Sequence, residues 1–224
     1  MDIIWHRKII HNYLNCRGHK RISMDIQKFF EYLFHYIRQQ SRGISVKEML
    51  LMWVICAVVL HIICMLYAGF SGKKIAVHKE VILVLILGYA CFGGQITLFR
   101  RVAGSRGTIY TSVYFGNLLG NWYERQQFYY SFLNICFFVP WGFLWGIWRW
   151  DDYVWKRLFM VTGYSFLSTS MIEITQFITG RGFFEVLDII TNVMGGVIGC
   201  ILASICIPVM NYVCDKLTER GRKL

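Results

Sequence analysis

Five apolar blocks dominate this chain, at residues 49–70, 81–99, 128–148, 158–178 and roughly 183–213. A hydrocarbon core about 30 Å thick takes about 20 helical residues to cross, and each block comes close to or exceeds that length. The last is long enough to tilt, or to begin in the interface before entering the core. The expected fold is therefore all-α: a polytopic transmembrane helix bundle of about five spans. Composition agrees, since 56% of the 224 residues are hydrophobic and only 17% are charged.

The remaining sequence falls outside this membrane domain, which covers residues 47–213. A basic segment, residues 1–46, precedes it, and a basic tail, residues 214–224, follows. Within the first segment Ile22, Ile26, Phe29, Phe30, Leu33, Phe34 and Ile37 recur at helical spacing, with Asp25, Lys28, Glu31 and Arg38 off that stripe and Ser23 placed to cap it. That pattern predicts an interfacial amphipathic helix, with docking of a partner as the sharper alternative. The first apolar block lies behind this long basic stretch and reads as a retained anchor rather than a cleaved leader.

The excess of 24 basic over 13 acidic residues gives a net charge of +11. In a polytopic chain this reads as Lys and Arg kept on the cytoplasmic side near anionic lipid, so no nucleic-acid partner is expected. Nine bases in residues 1–47 favour a cytoplasmic N-terminus. Five spans would then leave Lys216, Arg220, Arg222 and Lys223 outside, against the same rule. Residues 108–119 are the natural place for a re-entrant segment that would restore the count. No cofactor is expected. No metal is expected either, since His11, Cys16 and His19 lack a fourth ligand at regular spacing. Cys56, Cys64, Cys91, Cys136, Cys200 and Cys206 sit within the apolar blocks as packing residues, without a CxxC pair.

Polar groups inside the last two blocks carry the functional information. A charged side chain at the bilayer centre costs about 2.5–3.5 kcal/mol on insertion scales, so it is usually buried against protein or lines a wet cavity. Thr162, Ser165, Thr169, Glu173 and Gln176 fall three or four apart and share one helix face. A turn at Gly180-Arg181-Gly182 follows, and Asp188 and Asn192 then share a face of the next helix, with Glu185 one turn earlier. The tight turn puts Glu173, Gln176, Arg181, Asp188 and Asn192 in one leaflet. The second block ends at Arg100-Arg101 on that same side. Gly195, Gly196 and Gly199 form a small-residue stripe suited to close helix contact. Asn134 and Pro140 mark the third block, the proline being expected to kink it and to free a carbonyl toward neighbours. Trp141, Trp145, Trp148, Trp150 and Trp155 read mostly as an interface belt.

These residues recur as a set. The run Thr97-Leu98-Phe99-Arg100-Arg101, then Asn117-Leu118-Leu119, then Asn134 with Phe138-Val139-Pro140-Trp141-Gly142-Phe143, is followed by Glu173-Ile174-Thr175-Gln176, Arg181 and Asp188 through Gly196. In order and spacing, over roughly residues 50–210, it resembles the VanZ-like family. The departures are Trp141, where a small or apolar residue is more usual, and Gly120-Asn121, where a proline-phenylalanine pair is common. The resemblance implies a multi-pass bacterial cell-membrane protein, typified by a factor conferring low-level teicoplanin resistance.

Arginines held by carboxylates suit an anionic head group. The expected partners are thus membrane lipids or lipid-linked cell-wall precursors, with the lipoglycopeptide itself a further candidate. Glu173 and Asp188 would orient Arg100, Arg101 or Arg181, while Gln176 and Asn192 supply neutral hydrogen bonds. The alternative is a membrane-embedded enzyme of phosphoryl or glycosyl transfer, in which the two carboxylates share acid and base roles. No Ser/His/Asp set or phosphate-cradling loop accompanies them. The plainest reading is that the polar groups only tie helices together, which apolar packing would do more cheaply.

Overall fold

The structure is a computed structural model that describes residues 26–72, 76–99, 101–104 and 108–221, apart from the side chains of residues 26, 27, 213–215 and 217–221. Arg100 and the basic residues before position 26 lie outside the described residues, as do Ile22, Ser23, Asp25, His11, Cys16 and His19. So do the side chains of the tail except Lys216. Helix α1 runs Ile26–Ser41, α2 Val46–Ser71 and α3 Val77–Gly94, the last continuing into a π turn at Gln95–Phe99. A strand β1, Ile109–Tyr110, precedes α4, Trp122–Trp148; α5 is Val154–Thr179, β2 is Phe184–Glu185 and α6 is Val186–Gly221. The described chain is thus almost wholly helical.

Four stretches are long and apolar enough to cross a membrane: Val46–Ser71, Val77–Phe99, Trp122–Trp148 and Val186–Tyr212. Helix α5 matches them in length, at 26 residues, but not in composition. Its buried face is Arg157, Val161, Ser165, Thr169, Glu173 and Gln176, polar at five of six positions. The fourth of the five expected spans is therefore a helix whose polar stripe is covered by the others. Alternation puts the starts of α2, α4 and α6 at one end of the bundle, called here the near end, and the α2–α3 and α4–α5 turns at the far end.

The bundle is built around α4 and α6, which share the largest interhelical contact. Glycines make this approach possible. A Cβ on Gly195 would overlap the Ile135 carbonyl oxygen, one on Gly199 that of Val139, and one on Gly142 that of Gly196. Gly196 faces the Ser165 hydroxyl of α5 with equally little room. The small-residue stripe thus serves two partners at once, backbone on one side and a hydroxyl on the other. Helix α4 continues through Pro140. Proline removes the hydrogen bond to the carbonyl of Cys136, and the Tyr89 hydroxyl of α3 donates to the next carbonyl, Phe137.

Helix α2 is held by fewer groups. Among its side chains only Cys64 is buried. The Trp53 indole donates to the Val84 carbonyl at 2.8 Å, and His61 meets Glu80 at 2.6 Å. The six described cysteines are free.

Helix α1 lies against the near end of α4. Phe29 and Tyr36 contact Tyr129, a residue only 1% exposed, while Phe30, Phe34 and Ile37 stay open. The apolar stripe read from the sequence therefore divides between the bundle and the surroundings. No helix occurs in residues 108–121. That loop instead lies over the α5–α6 turn: β1 and β2 pair in parallel, Ile109 opposite Phe184 and Tyr110 opposite Glu185. It then enters α4 through a capping box, in which Asn121 accepts from the Glu124 amide and the Glu124 carboxylate accepts from that of Asn121. That carboxylate passes so close over Gly120 that any side chain there would meet it, which explains the small residue before the cap.

The tryptophans separate into two groups. Trp141, Trp145 and Trp148 stack edge to face along α4, Trp145 also against Tyr164, with buried indole N–H groups that find no partner among the described residues. They act as packing residues rather than as an interface belt. Trp155, 81% exposed, and Trp150, stacked on His78, lie at the far end.

Candidate functional site at the near end of the bundle

Helical spacing of four brings Ser165, Thr169 and Glu173 to one line on α5, and each is buried against α6. A buried polar contact joins these helices: the Asn192 amide donates to the Thr169 hydroxyl at 2.8 Å, while its own oxygen has no partner among the described residues. One turn nearer the end stands Glu173, 2% exposed. Its Oε2 accepts from the backbone N–H of Glu185 at 2.9 Å. That N–H is offered because Glu185 lies in β2, held extended by its pairing with β1, and not in the first turn of α6. The sequence places Glu185 on the helix; the structure makes it the strand residue that receives Glu173.

Asp188, in the first turn of α6, is hydrogen-bonded by the Asn134 side chain of α4. Glu173, Glu185 and Asp188 all lie within electrostatic reach of Arg101, which follows the π turn of α3. None forms an ion pair with it within 4 Å among the described residues. An Arg101 Nη1 atom lies over Gly182, where a Cβ would come within 2.9 Å of it. Carboxyl groups from two helices and one strand thus converge on a single guanidinium. Burial raises the Glu185 carboxyl above its usual range, and Arg101 partly offsets this.

The remaining residues of the turn bind the chain rather than each other. The Gln176 amide donates to the Thr97 carbonyl at 3.1 Å, and Arg181 Nη1 donates to the Leu98 carbonyl at 3.2 Å. Both acceptors belong to the π turn, where the ordinary α-helical bonding pattern is interrupted. Arg181 therefore does not pair with Glu173. Gly104 and Gly180 complete the attachment through a backbone hydrogen bond. Of the sequence candidates, the structure gathers Arg101, Glu173 and Asp188 into one cluster, with Asn134 beside it. It uses Gln176 and Arg181 as clamps on α3, and it sets Asn192 deeper, against Thr169. Among the described residues no group of three His, Cys, Asp or Glu converges closely enough to hold a metal ion.

An apolar groove of about 290 Å³ adjoins the cluster between α3, α4 and α5, lined among others by Ala90, Gly94, Leu98, Phe137, Met171 and Thr175. No sequence pattern announces it, because its walls come from three helices.

Among the buried polar residues that the sequence reading passed over, Arg157 has the most partners. Arg157, 4% exposed, opens the same α5 stripe at the far end. It donates to the carbonyls of Arg149, Trp150 and Asp152 and to the Ser204 hydroxyl. It thereby closes the C-terminus of α4, where carbonyls have no helical partner. The spacing 157, 161, 165, 169, 173 would have revealed it.

Searches among curated proteins and among solved structures found no match. Residues 53–207, however, match the family model described as VanZ/LLP1. That segment runs from the first turns of α2 to deep in α6, and it contains the whole near-end cluster. With four helices apolar enough to span and this match over more than half its length, the chain is a multi-pass membrane protein belonging to the VanZ/LLP1 family.

Proposed function

We propose that this protein holds an anionic amphiphile, a membrane lipid or a lipid-linked cell-wall precursor, with its head group at the near-end cluster. By doing so it lowers susceptibility to teicoplanin-like lipoglycopeptides, in keeping with a family linked to glycopeptide resistance. The observation that supports this most is Arg101, aimed by Glu173, Glu185 and Asp188 yet contacted by none of them. A structural arginine in such surroundings would close on a carboxylate; one oriented at a distance is available to phosphate or carboxylate of a ligand. The raised Glu185 carboxyl keeps less negative charge in the site than a count of acids implies. With the basic N-terminal segment in the cytoplasm, the cluster faces the inner leaflet. Protection would then come through precursor supply rather than through capture of drug outside.

The test is teicoplanin susceptibility of cells expressing wild type, Glu173→Gln and Arg101→Gln at matched membrane abundance. Glutamine retains an acceptor for the Glu185 amide, so the Glu173 variant should stay within about 1 kcal/mol of wild-type stability. Loss of protection in both variants supports the reading. Equal protection by all three proteins sinks it.

A further inference from the structure

The groove beside the cluster has polar residues in its lining but presents an apolar wall. Thr97, Ser168 and Thr175 turn their hydroxyls back onto the carbonyls of Gly93, Tyr164 and Met171, at 2.6–2.8 Å, and the Tyr89 hydroxyl is engaged by Phe137. Its volume, about 290 Å³, lies at the lower edge of small-molecule sites, which run about 300–1,000 Å³. That is room for one narrow chain and not for a whole lipid. The groove and the cluster also share a wall. Thr97 and Leu98 line the groove, and their carbonyls receive Gln176 and Arg181. An amphiphile with its charge at Arg101 would pass its attached apolar chain directly into the groove.

The geometry points to a single alkyl chain of that anionic amphiphile as the occupant of the groove between α3, α4 and α5. This rests on the head-group reading above and extends it to the apolar part of the ligand. Small residues on α3 create the space: Ala90 stands at the rim, and Gly94 leaves room that Phe99 only partly takes. A bulky side chain at Ala90 would fill the groove from an exposed position without entering the core.

The experiment is photolabelling of the purified full-length chain in phosphatidylcholine nanodiscs, with a diazirine in the acyl chain of either phosphatidylglycerol or phosphatidylcholine. The expected result is saturable labelling of peptides containing residues 90–98 and 168–175 by the phosphatidylglycerol probe. Ala90→Phe and Ala90→Leu should each reduce it by about tenfold, whereas Val59→Phe, on the exposed face of α2, should not. Arg101→Gln should abolish the preference for the anionic probe. Non-saturable labelling spread over α2 and the other open faces overturns the groove. Groove labelling that is saturable and blocked at Ala90, yet equal for both probes, retains the groove and overturns the anionic head-group reading. An anionic preference that depends on Arg101 but labels elsewhere retains the head-group reading and overturns the groove.

Discussion

The two ends of the bundle treat charge in opposite ways. At the far end the ionic groups are closed on partners: Lys79 meets Asp151 at 2.6 Å, Asp152 bridges Arg149 and Lys156, and Arg157 spends its guanidinium on four acceptors. Those contacts hold the carboxyls of Asp151 and Asp152 below their usual range, chiefly through the hydrogen bonds from Lys79 and Lys156. At the near end three carboxyl groups surround Arg101 without a close pair, and Glu185 is shifted the other way by burial. Paired charges settle a fold, whereas charges oriented and left apart keep capacity for something else. The contrast assigns maintenance to the far end, and it is why we propose the ligand at the near end.

The largest test of that division is Arg157→Met. It strands the last carbonyls of α4 in a buried place and should cost about 3 kcal/mol, measured as unfolding in detergent. A cost below about 1 kcal/mol would mean that the far end is not held by this residue. Next comes Gly199→Ala, whose new methyl overlaps the Val139 carbonyl and should destabilise by about 1–3 kcal/mol. The same change at Gly69, where a Cβ meets nothing within 4 Å, should stabilise by about 0.5–1 kcal/mol. A smaller effect concerns pH. The folded state keeps the Glu185 proton to higher pH than the unfolded chain does, so stability should fall as pH rises from the ordinary glutamate range toward the raised folded value. Glu185→Gln should flatten that slope; an unchanged slope would remove Glu185 from the account. The smallest effect belongs to Asp151→Asn, whose side chain is 61% exposed, at less than about 1 kcal/mol.

Much of this was legible because lipid leaves few options for a polar residue. Spacing alone placed Thr169, Glu173 and Gln176 on one face, and chain reversal at Gly180 brought Asp188 to the same end. What spacing could not supply were partners. The Glu185 amide is available to Glu173 only because residues 109–110, about 75 positions earlier, pair with β2. The acceptors for Gln176 and Arg181 are backbone carbonyls, which carry no sequence signal. The fourth block reads as a span because its exposed residues, such as Phe166, Leu167 and Met171, are as hydrophobic as those of the other spans. Spacing draws its polar stripe, but what covers that stripe shows only when another helix is laid against it.

The π turn at the end of α3 has a further consequence. Such a turn amounts to one residue inserted into an α-helix, and at 3.6 residues per turn each residue advances the helix by about 100°. Residues 95–99 are therefore out of phase with the rest of α3, and in that shifted stretch the Thr97 and Leu98 carbonyls meet Gln176 and Arg181. Removing one residue from this turn would restore an unbroken helix of comparable hydropathy and insertion. Yet it would rotate the Thr97 and Leu98 carbonyls about 100° away from Gln176 and Arg181: a protein with its membrane passage intact and its α5–α6 turn unmoored from α3.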